Sequence, residues 1–321
     1  MDSLSVEFGT GRAPVRVVDG VSLRVERGQT LAVIGESGSG KSLTARAVMG
    51  ILPHGAQVSS GSIRLRGEDL LALQPGALRR LRGPHISMVF QDSLSALNPA
   101  MRVGSQIAEM YRVHLGLSRH EAQRRAIEMM DKVRIPAAAK RFRDYPHQFS
   151  GGMRQRVVIA MALALSPDVL IADEPTTALD VTVQAQIMDL LAEMQRELHM
   201  ALVLISHDLG VVAGVADEVA VMYAGRIAEV ASASDLYATP QHPYTRALLA
   251  AIPRSGSRGR PLTVLQGSPP DLTRIPEGCS LRPRCPQAGH ACISAPPLYA
   301  IGANRLCACH AVVSEGGNVG G

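Results

Sequence analysis

"TLAVIGESGSGKSLTARAVM" (Thr30–Met49) decides the fold. "TLAVI" is an apolar run of strand character, and "GESGSGKS" (Gly35–Ser42) follows it with three glycines, three serines and a lysine. The pattern G-x-x-x-x-G-K-[ST] is met by Gly35, Gly40, Lys41 and Ser42, with Ser37 and Gly38 inside the curl. Glycines let successive backbone N–H groups point at phosphate oxygens. A lysine at this position bridges β- and γ-phosphates, and the serine hydroxyl holds Mg²⁺. "KSLTARAVMGIL" reads as a helix whose positive end faces the same anions. Strand, glycine-rich turn and helix together predict a nucleotide-binding α/β fold.

The rest of the chain fits that start. "HISMVFQD", "DVLIADEP" and "ALVLISHD" read as buried strands, and "LSVEF", "VSLRVE" and "GSIRLRG" as shorter ones. "HEAQRRAIEMMDKV", "SGGMRQRVVIAMALAL" and "VTVQAQIMDLLAEMQREL" carry helical patterns. Alternation of strand and helix predicts a parallel sheet covered on both faces. From about Ser232, Pro, Gly and Ser become frequent and periodicity fades, which places a boundary there.

Composition narrows the function. The 321 residues, 46% of them apolar, suffice for one large domain plus an appendage. The net charge of +5 comes from basic residues scattered along the chain, with no basic arm. There is no Trp, and only 4 Phe and 6 Tyr, which argues against base stacking on single strands. "MDSLSVEFG" lacks a basic start followed by an apolar core, so no targeting signal is expected. The longest apolar run, "VVIAMALAL" (Val157–Leu165), is too short to span a bilayer. A cytosolic or peripheral protein is therefore expected.

An acidic element should accompany a phosphate loop. "VLIADEP" ends a buried strand with Asp173, suited to stand behind Mg²⁺, and Glu174, suited to polarise an attacking water. "HQFSGGMRQR" sets Ser150, Gly151 and Gly152 at a helix start, "ALD" ends in Asp180, "VFQD" contains Gln91 and "LISHD" contains His207.

This ordered array resembles the ATP-binding cassette (ABC) ATPases over roughly Leu4 to Ala231. The resemblance implies an antiparallel β subdomain, a RecA-like core and a helical subdomain, here an insert of about residues 93–164 in a 1–231 nucleotide-binding domain. It implies two cassettes sandwiching two ATP molecules head to tail. Ser150 and Gly152 then face the γ-phosphate bound by the partner, Gln91 senses Mg²⁺ and the attacking water, and His207 senses the γ-phosphate. Phe8 falls where the family stacks an aromatic on adenine. "SGGM" departs from the usual "SGGQ", so Met153 cannot supply the glutamine's hydrogen bonds.

"DSLSALNP", "YPHQFSGGMRQRVVIAMALAL" and "SHDLGVVAGVADEVAVMYAGRIAE" narrow the resemblance to dipeptide and oligopeptide importer ATPases. "QHPYTRALL" and the Cys-rich tail are similar to that family's C-terminal extension, here residues 232–321. The resemblance implies a D-type subunit at the cytoplasmic face of the inner membrane. Its implied partners are an F-type ATPase carrying "SGGQ", two permease subunits and an extracytoplasmic binding protein, with no nucleic acid. A soluble ABC ATPase acting on nucleic acid is the alternative from another class, and a nickel or glutathione importer the alternative within transport.

All 5 cysteines lie between Cys279 and Cys309. Such clustering is unlike a disulfide-stapled secreted domain and points to a metal or cluster site in a reducing compartment. No C-x-x-C pair is present, which disfavours a zinc ribbon. By resemblance, Cys279, Cys285, Cys292 and Cys309 hold a [4Fe–4S] cluster, with Cys307 the spare thiol. His290 and His310 read as neighbours of the site or surface residues, not as ligands. Zinc and free thiols stay open as alternatives.

Overall fold

The computed structural model describes residues 1–9, 14–92, 96–177, 179–252, 265 and 267–315. In chain order the elements are β1 (Asp2–Phe8), β2 (Val15–Val21), β3 (Thr30–Ile34), α1 (Lys41–Met49), β4 (Ala56–Ser62), β5 (Arg64–Leu65), β6 (Glu68–Asp69), α2 (Pro75–Leu81), β7 (Ile86–Val89), α3 (Val103–Leu115), α4 (Arg119–Lys132), α5 (Ala138–Arg141) and α6 (Gly151–Leu163). They continue as β8 (Val169–Asp173), α7 (Val181–Leu198), β9 (Ala201–Ser206), α8 (Leu209–Val212), β10 (Glu218–Tyr223), β11 (Arg226–Ser232), α9 (Ala233–Ala238), α10 (Pro243–Ala250), β12 (Tyr299–Gly302), β13 (Arg305–Cys307) and α11 (His310–Glu315). Two compact units result, one of Met1–Arg24, Leu31–Ala72 and Ser206–Gly321, the other of Val25–Thr30 and Leu73–Ile205.

In the first unit, β2-β1-β4 form an antiparallel sheet, and β12-β13-β11-β10-β3 run side by side. All five residues of β3 are buried, which its continuous apolar run predicts. β3 lies parallel to β10, with Leu31 to Ile34 opposite Glu218 to Val221. β11, β13 and β12 then continue antiparallel, so this part is mixed rather than purely parallel. The strand expected at "VSLRVE" lies earlier, at Val15–Val21, where β1 supplies partners from Leu4 to Phe8. Past Val21 the Leu23 N–H still donates to the Met1 carbonyl and the Ser3 N–H to the Ser22 hydroxyl, so the alternation outlasts the regular ladder. Pairing, not alternation, ends a strand.

The second unit sets β9-β8-β7 in parallel, with Val169 to Asp173 facing Ala201 to Ile205. Its helices follow their patterning closely. α4 starts at Ser118, whose hydroxyl accepts from the Glu121 N–H at 3.2 Å, and buries Ala122, Ala126, Met129 and Met130 along one face. α3 packs on α4 and α6. Close approach is built in at Gly104, where a Cβ would lie 2.1 Å from the Phe142 ring. α7 buries Ile187, Leu190, Leu191 and Met194 on the face that its periodicity marks. Back in the first unit, after Ser232, the expected loss of regular structure is only partial, because α9 and α10 form there and α10 buries Tyr244, Thr245 and Leu249. Each helix is too short to repeat its apolar spacing, so the sequence shows no period.

Candidate functional site

The phosphate loop joins β3 to α1 within the first unit. Backbone crowding explains Gly35, since a Cβ there would meet the Met222 carbonyl oxygen at 2.2 Å. Gly40 precedes α1 with φ 99°, a left-handed conformation that favours glycine. Lys41 is 6% exposed and its ammonium folds back into the loop. Nζ donates to the Gly35 carbonyl at 2.8 Å, to the Glu36 carbonyl at 2.9 Å and to Ser39 Oγ at 3.3 Å. Ser42 sits one position further along α1, half-buried. Loop amides, ammonium and helix start form a basic cradle suited to a polyphosphate.

Side chains from far along the sequence brace this loop. The Glu36 N–H donates to the Tyr244 hydroxyl at 2.8 Å. Arg284 forks onto the Glu36 carboxylate, Nη1 to Oε2 at 2.9 Å and Nη2 to Oε1 at 3.1 Å, and Nη1 also donates to the Tyr223 hydroxyl at 3.2 Å. Its guanidinium lies 5.8 Å from the Tyr223 ring centroid, and the Tyr223 and Tyr244 rings are 4.6 Å apart. The sequence reading missed all four residues. An acidic residue inside a loop built for phosphate was the available signal, because such a charge calls for a cation.

His207 also belongs to the first unit, exposed just past β9. Asp208 beside it accepts from the Gly210 N–H at 2.8 Å and so starts α8. Phe8 is half-buried at the end of β1, opposite Val15 and Ala56.

In the second unit the buried β8 ends at Asp173, 2% exposed. Glu174 follows with φ 46°, an uncommon left-handed conformation for a non-glycine residue. Its N–H donates to the Ile205 carbonyl at 2.9 Å. Gln91 Nε2 donates to Glu174 Oε2 at 2.8 Å, and the Thr177 hydroxyl donates to the same oxygen at 3.0 Å. Gln91 and Glu174, chosen from motifs 83 positions apart, are thus hydrogen-bonded. Thr177 is a partner that the sequence reading did not single out.

Ser150 is the N-cap of α6, accepting from the Met153 N–H at 3.4 Å. Ser150 and Gly151 are exposed, while a Cβ on Gly152 would lie 2.5 Å from Val183 Cγ1. Asp180 caps α7 in the same way, with Oδ1 accepting from the Val183 N–H at 2.9 Å. "ALD" includes position 178, which lies outside the described residues.

A second candidate region lies in the tail of the first unit. Cys279, Cys285, Cys292 and Cys309 line one cavity of about 220 Å³, together with His242, His290 and His310. The Cys279 N–H donates to the Cys292 carbonyl at 3.0 Å. Gly278, at φ 81°, packs so tightly that a Cβ would lie 2.4 Å from the Cys292 carbonyl oxygen. Burial pushes the Cys279 and Cys285 thiols up, and neighbouring cysteines push in the same direction. Among the described residues no three His, Cys, Asp or Glu side chains converge to hold a single metal ion. Cys307 is 0% exposed in β13, does not line this cavity, and is pushed up by burial and then by Glu229. Burial holds His242 neutral, its pKa lowered to about 4.

Among the described residues no helix is long and apolar enough to cross a membrane. Comparison with known proteins gives two family matches, "ABC transporter" over residues 18–177 and "Oligopeptide/dipeptide transporter, C-terminal region" over residues 228–292. The oligopeptide transport ATP-binding protein OppD of Salmonella typhimurium is 50% identical over 315 residues, covering 98% of this chain and 94% of its own. The dipeptide transport ATP-binding protein DppD of Bacillus subtilis is 49% identical over 293 residues, covering 91% and 88%. A dimeric post-hydrolysis structure of the ATP-binding cassette MJ0796 bound to ADP and Pi superposes with TM-score 0.65 at 24% identity, over 72% of this chain and 97% of that one, a likeness of fold. The cbiO1 structure from Clostridium perfringens, part of the cbiONQ ABC transporter complex, gives TM-score 0.63 at 30% identity, over 74% and 91%. With a braced phosphate loop, a strand-end glutamate and near full-length identity of this order, the chain belongs to the ABC transporter ATP-binding proteins of the oligopeptide/dipeptide type.

Proposed function

We propose that the chain hydrolyses ATP to power the import of di- or oligopeptides through a membrane permease. The observation that carries the hydrolytic reading is the end of β8, where Glu174 is fixed in a left-handed conformation and held by Gln91 and Thr177. A carboxylate so oriented accepts a proton from a water and aims it, which is the general-base role. The peptide reading rests on the C-terminal family match at residues 228–292 and on the relatives' names.

Each residue has a defined task on this reading. Amides of Gly35, Ser37, Gly38 and Gly40 cradle the phosphates, and Lys41 exchanges its carbonyl partners for phosphate oxygens. Ser42 in the first unit and Gln91 in the second are each suited to a Mg²⁺ contact, Asp173 to a place behind such an ion, and the ion when bound neutralises phosphate charge. His207 is exposed and suited to a γ-phosphate contact, and Phe8 to stacking on adenine. Ser150, Gly151 and Gly152 offer a helix start to a nucleotide held by a second cassette. Asp180 keeps that region in place by capping α7. The second cassette would be an F-type subunit whose "SGGQ" complements the "SGGM" here. Residues 1–231 form the cassette with its helical insert of about 93–164, and 232–321 the extension. Attachment to the membrane is peripheral, at the cytoplasmic face, through the two permease subunits, with substrate delivered by a binding protein.

For the tail cavity the reading is an iron–sulfur cluster, with zinc and free thiols as the alternatives. A zinc ion requires every sulfur at about 2.3 Å from one point. Here four thiols line one space of about 220 Å³, a donor set and a volume compatible with a four-thiolate group. Cys279, Cys285, Cys292 and Cys309 would hold it, and its chemistry there is to tie together a segment with little core.

Reconstitution tests the whole reading. The chain, its partner ATPase and permeases in vesicles should couple ATP hydrolysis to uptake of a labelled tripeptide. Uptake of nickel chelates or glutathione in place of peptides would move the substrate class. ATPase activity stimulated by nucleic acid and indifferent to permease would overturn the transport reading.

A further inference from the structure

We propose that the C-terminal extension sets the nucleotide affinity of the phosphate loop through Arg284, which cancels a negative charge that the loop itself carries. The inference rests on the reading of Gly35–Ser42 as the ATP site.

Glu36 is the second residue of that loop, and its side chain is 27% exposed. A carboxylate there repels the polyphosphate that the neighbouring amides and Lys41 attract. Arg284 meets it with both terminal nitrogens, at 2.9 and 3.1 Å, from a side chain only 7% exposed. A planar fork is the arrangement by which guanidinium best matches carboxylate, and partial burial limits screening by salt. The position of the fork is itself fixed. The Tyr223 hydroxyl accepts from Nη1 at 3.2 Å, and Tyr223 packs on Tyr244, whose hydroxyl accepts from the Glu36 N–H. Both Arg284 and Tyr244 come from the extension, within the segment matched as the oligopeptide/dipeptide C-terminal region.

The brace also bears on Lys41. Its ammonium donates to the carbonyl of Glu36 as well as to that of Gly35. The residue that places this carbonyl is therefore the one whose side chain Arg284 grips and whose N–H Tyr244 receives. Arg284 acts through Glu36, so it is a positioning residue. An unopposed Glu36 should weaken ATP more than ADP, because ATP carries the extra phosphate charge.

Equilibrium binding of N-methylanthraniloyl-ATP and -ADP to the full-length chain tests this without any need for turnover. Arg284→Gln should weaken ATP about tenfold at low salt and ADP less, and the gap should narrow at about 0.5 M salt. Adding Glu36→Gln to Arg284→Gln should restore ATP affinity to within about twofold of wild type, since no charge is then left to cancel. Arg284→Lys should lie between, keeping the charge and losing the fork. Wild-type affinity in Arg284→Gln, or an equal loss with and without Glu36→Gln, would overturn the proposal. Should Arg284→Gln fail to fold, Glu36→Gln alone decides, because removing the loop's own carboxylate should tighten ATP severalfold and unchanged affinity would refute the charge argument. A wild-type chain that binds no ATP would instead remove the reading of the loop as the nucleotide site.

Discussion

The phosphate loop and the cysteine tail are both irregular stretches, yet they are held by opposite means. The loop hangs between β3, buried throughout, and α1, which buries Thr44, Ala45, Ala47 and Met49 as well as Lys41. Among the described residues from 265 to 312, Leu281 and Cys307 alone are buried. Apolar burial orders the first region, whereas the second depends on backbone turns, Arg284 and a cavity of thiols. A segment with so little core does not offset its conformational entropy by burial. The loop should therefore tolerate loss of a bound group, and the tail should not.

The largest effect tests the end of β8, where Glu174 is proposed as the base. Glu174→Gln should lower kcat about a thousandfold while leaving ATP affinity within about threefold, because it removes a base and keeps the fold of the turn. Steady-state hydrolysis in the assembled transporter, beside nucleotide binding, measures both. Turnover at the wild-type rate would take Glu174 out of the base role.

Next is the loop itself. Lys41→Ala removes an ammonium that donates to the Gly35 and Glu36 carbonyls and to Ser39 Oγ. ATP binding should fall about a hundredfold or more, the scale of charge-assisted hydrogen bonds to phosphate. The unfolding midpoint should move little, since β3 and α1 still bury their apolar faces. A large drop in the midpoint would mean that the loop organises the core and would erase the contrast with the tail.

These two sites were legible for a common reason. Long apolar elements on either side fix where the loop and Glu174 must stand, so motif and period agree. The strand at Val15–Val21 was misplaced because "VSLRVE" alternates equally well, and only pairing with β1 separates the two. Ser150 and Asp180 read as ligand-facing residues, and their side chains also cap α6 and α7, a local role that Ser or Asp directly before a helical pattern announces. Glu36, Arg284, Tyr223 and Tyr244 were illegible as a group. Arg284 lies 248 positions from Glu36, and no period links a tail arginine to a loop carboxylate.

An intermediate effect probes the tail. Cys279→Ser, Cys285→Ser or Cys292→Ser should each remove iron and acid-labile sulfide from anaerobically prepared protein and open the tail to trypsin. Arg284 stands one position before Cys285, so loosening this turn should also weaken ATP, by no more than the roughly tenfold expected of Arg284→Gln. Stoichiometric zinc without sulfide in the wild-type protein would replace the cluster with an ion. Full trypsin resistance of a metal-free tail would show that turns and ion pairs suffice to order it.

The smallest effect separates two neighbouring thiols. Cys309 lines the cavity, whereas Cys307 points elsewhere in β13, opposite Glu229 of β11 and Tyr299 of β12. Glu229 is fully buried and its carboxylate accepts from the N–H groups of Gln241 and His242, both at 2.9 Å, and from Arg305 at 3.3 Å. Burial first and this carboxylate second push the Cys307 thiol up, as burial also does for Cys279 and Cys285, so it is its place outside the cavity that sets Cys307 apart. Cys307→Ser replaces a small apolar group by a buried hydroxyl that needs a partner, at a cost of about 1–2 kcal/mol. The unfolding midpoint should drop by about 2–6 °C, with iron content and ATP binding unchanged. Cys309→Ser should do the reverse, losing iron while leaving the β11–β13 pairing in place. Iron lost from Cys307→Ser and kept in Cys309→Ser would exchange the two roles, and with them the assignment of which side of β13 faces the bound group.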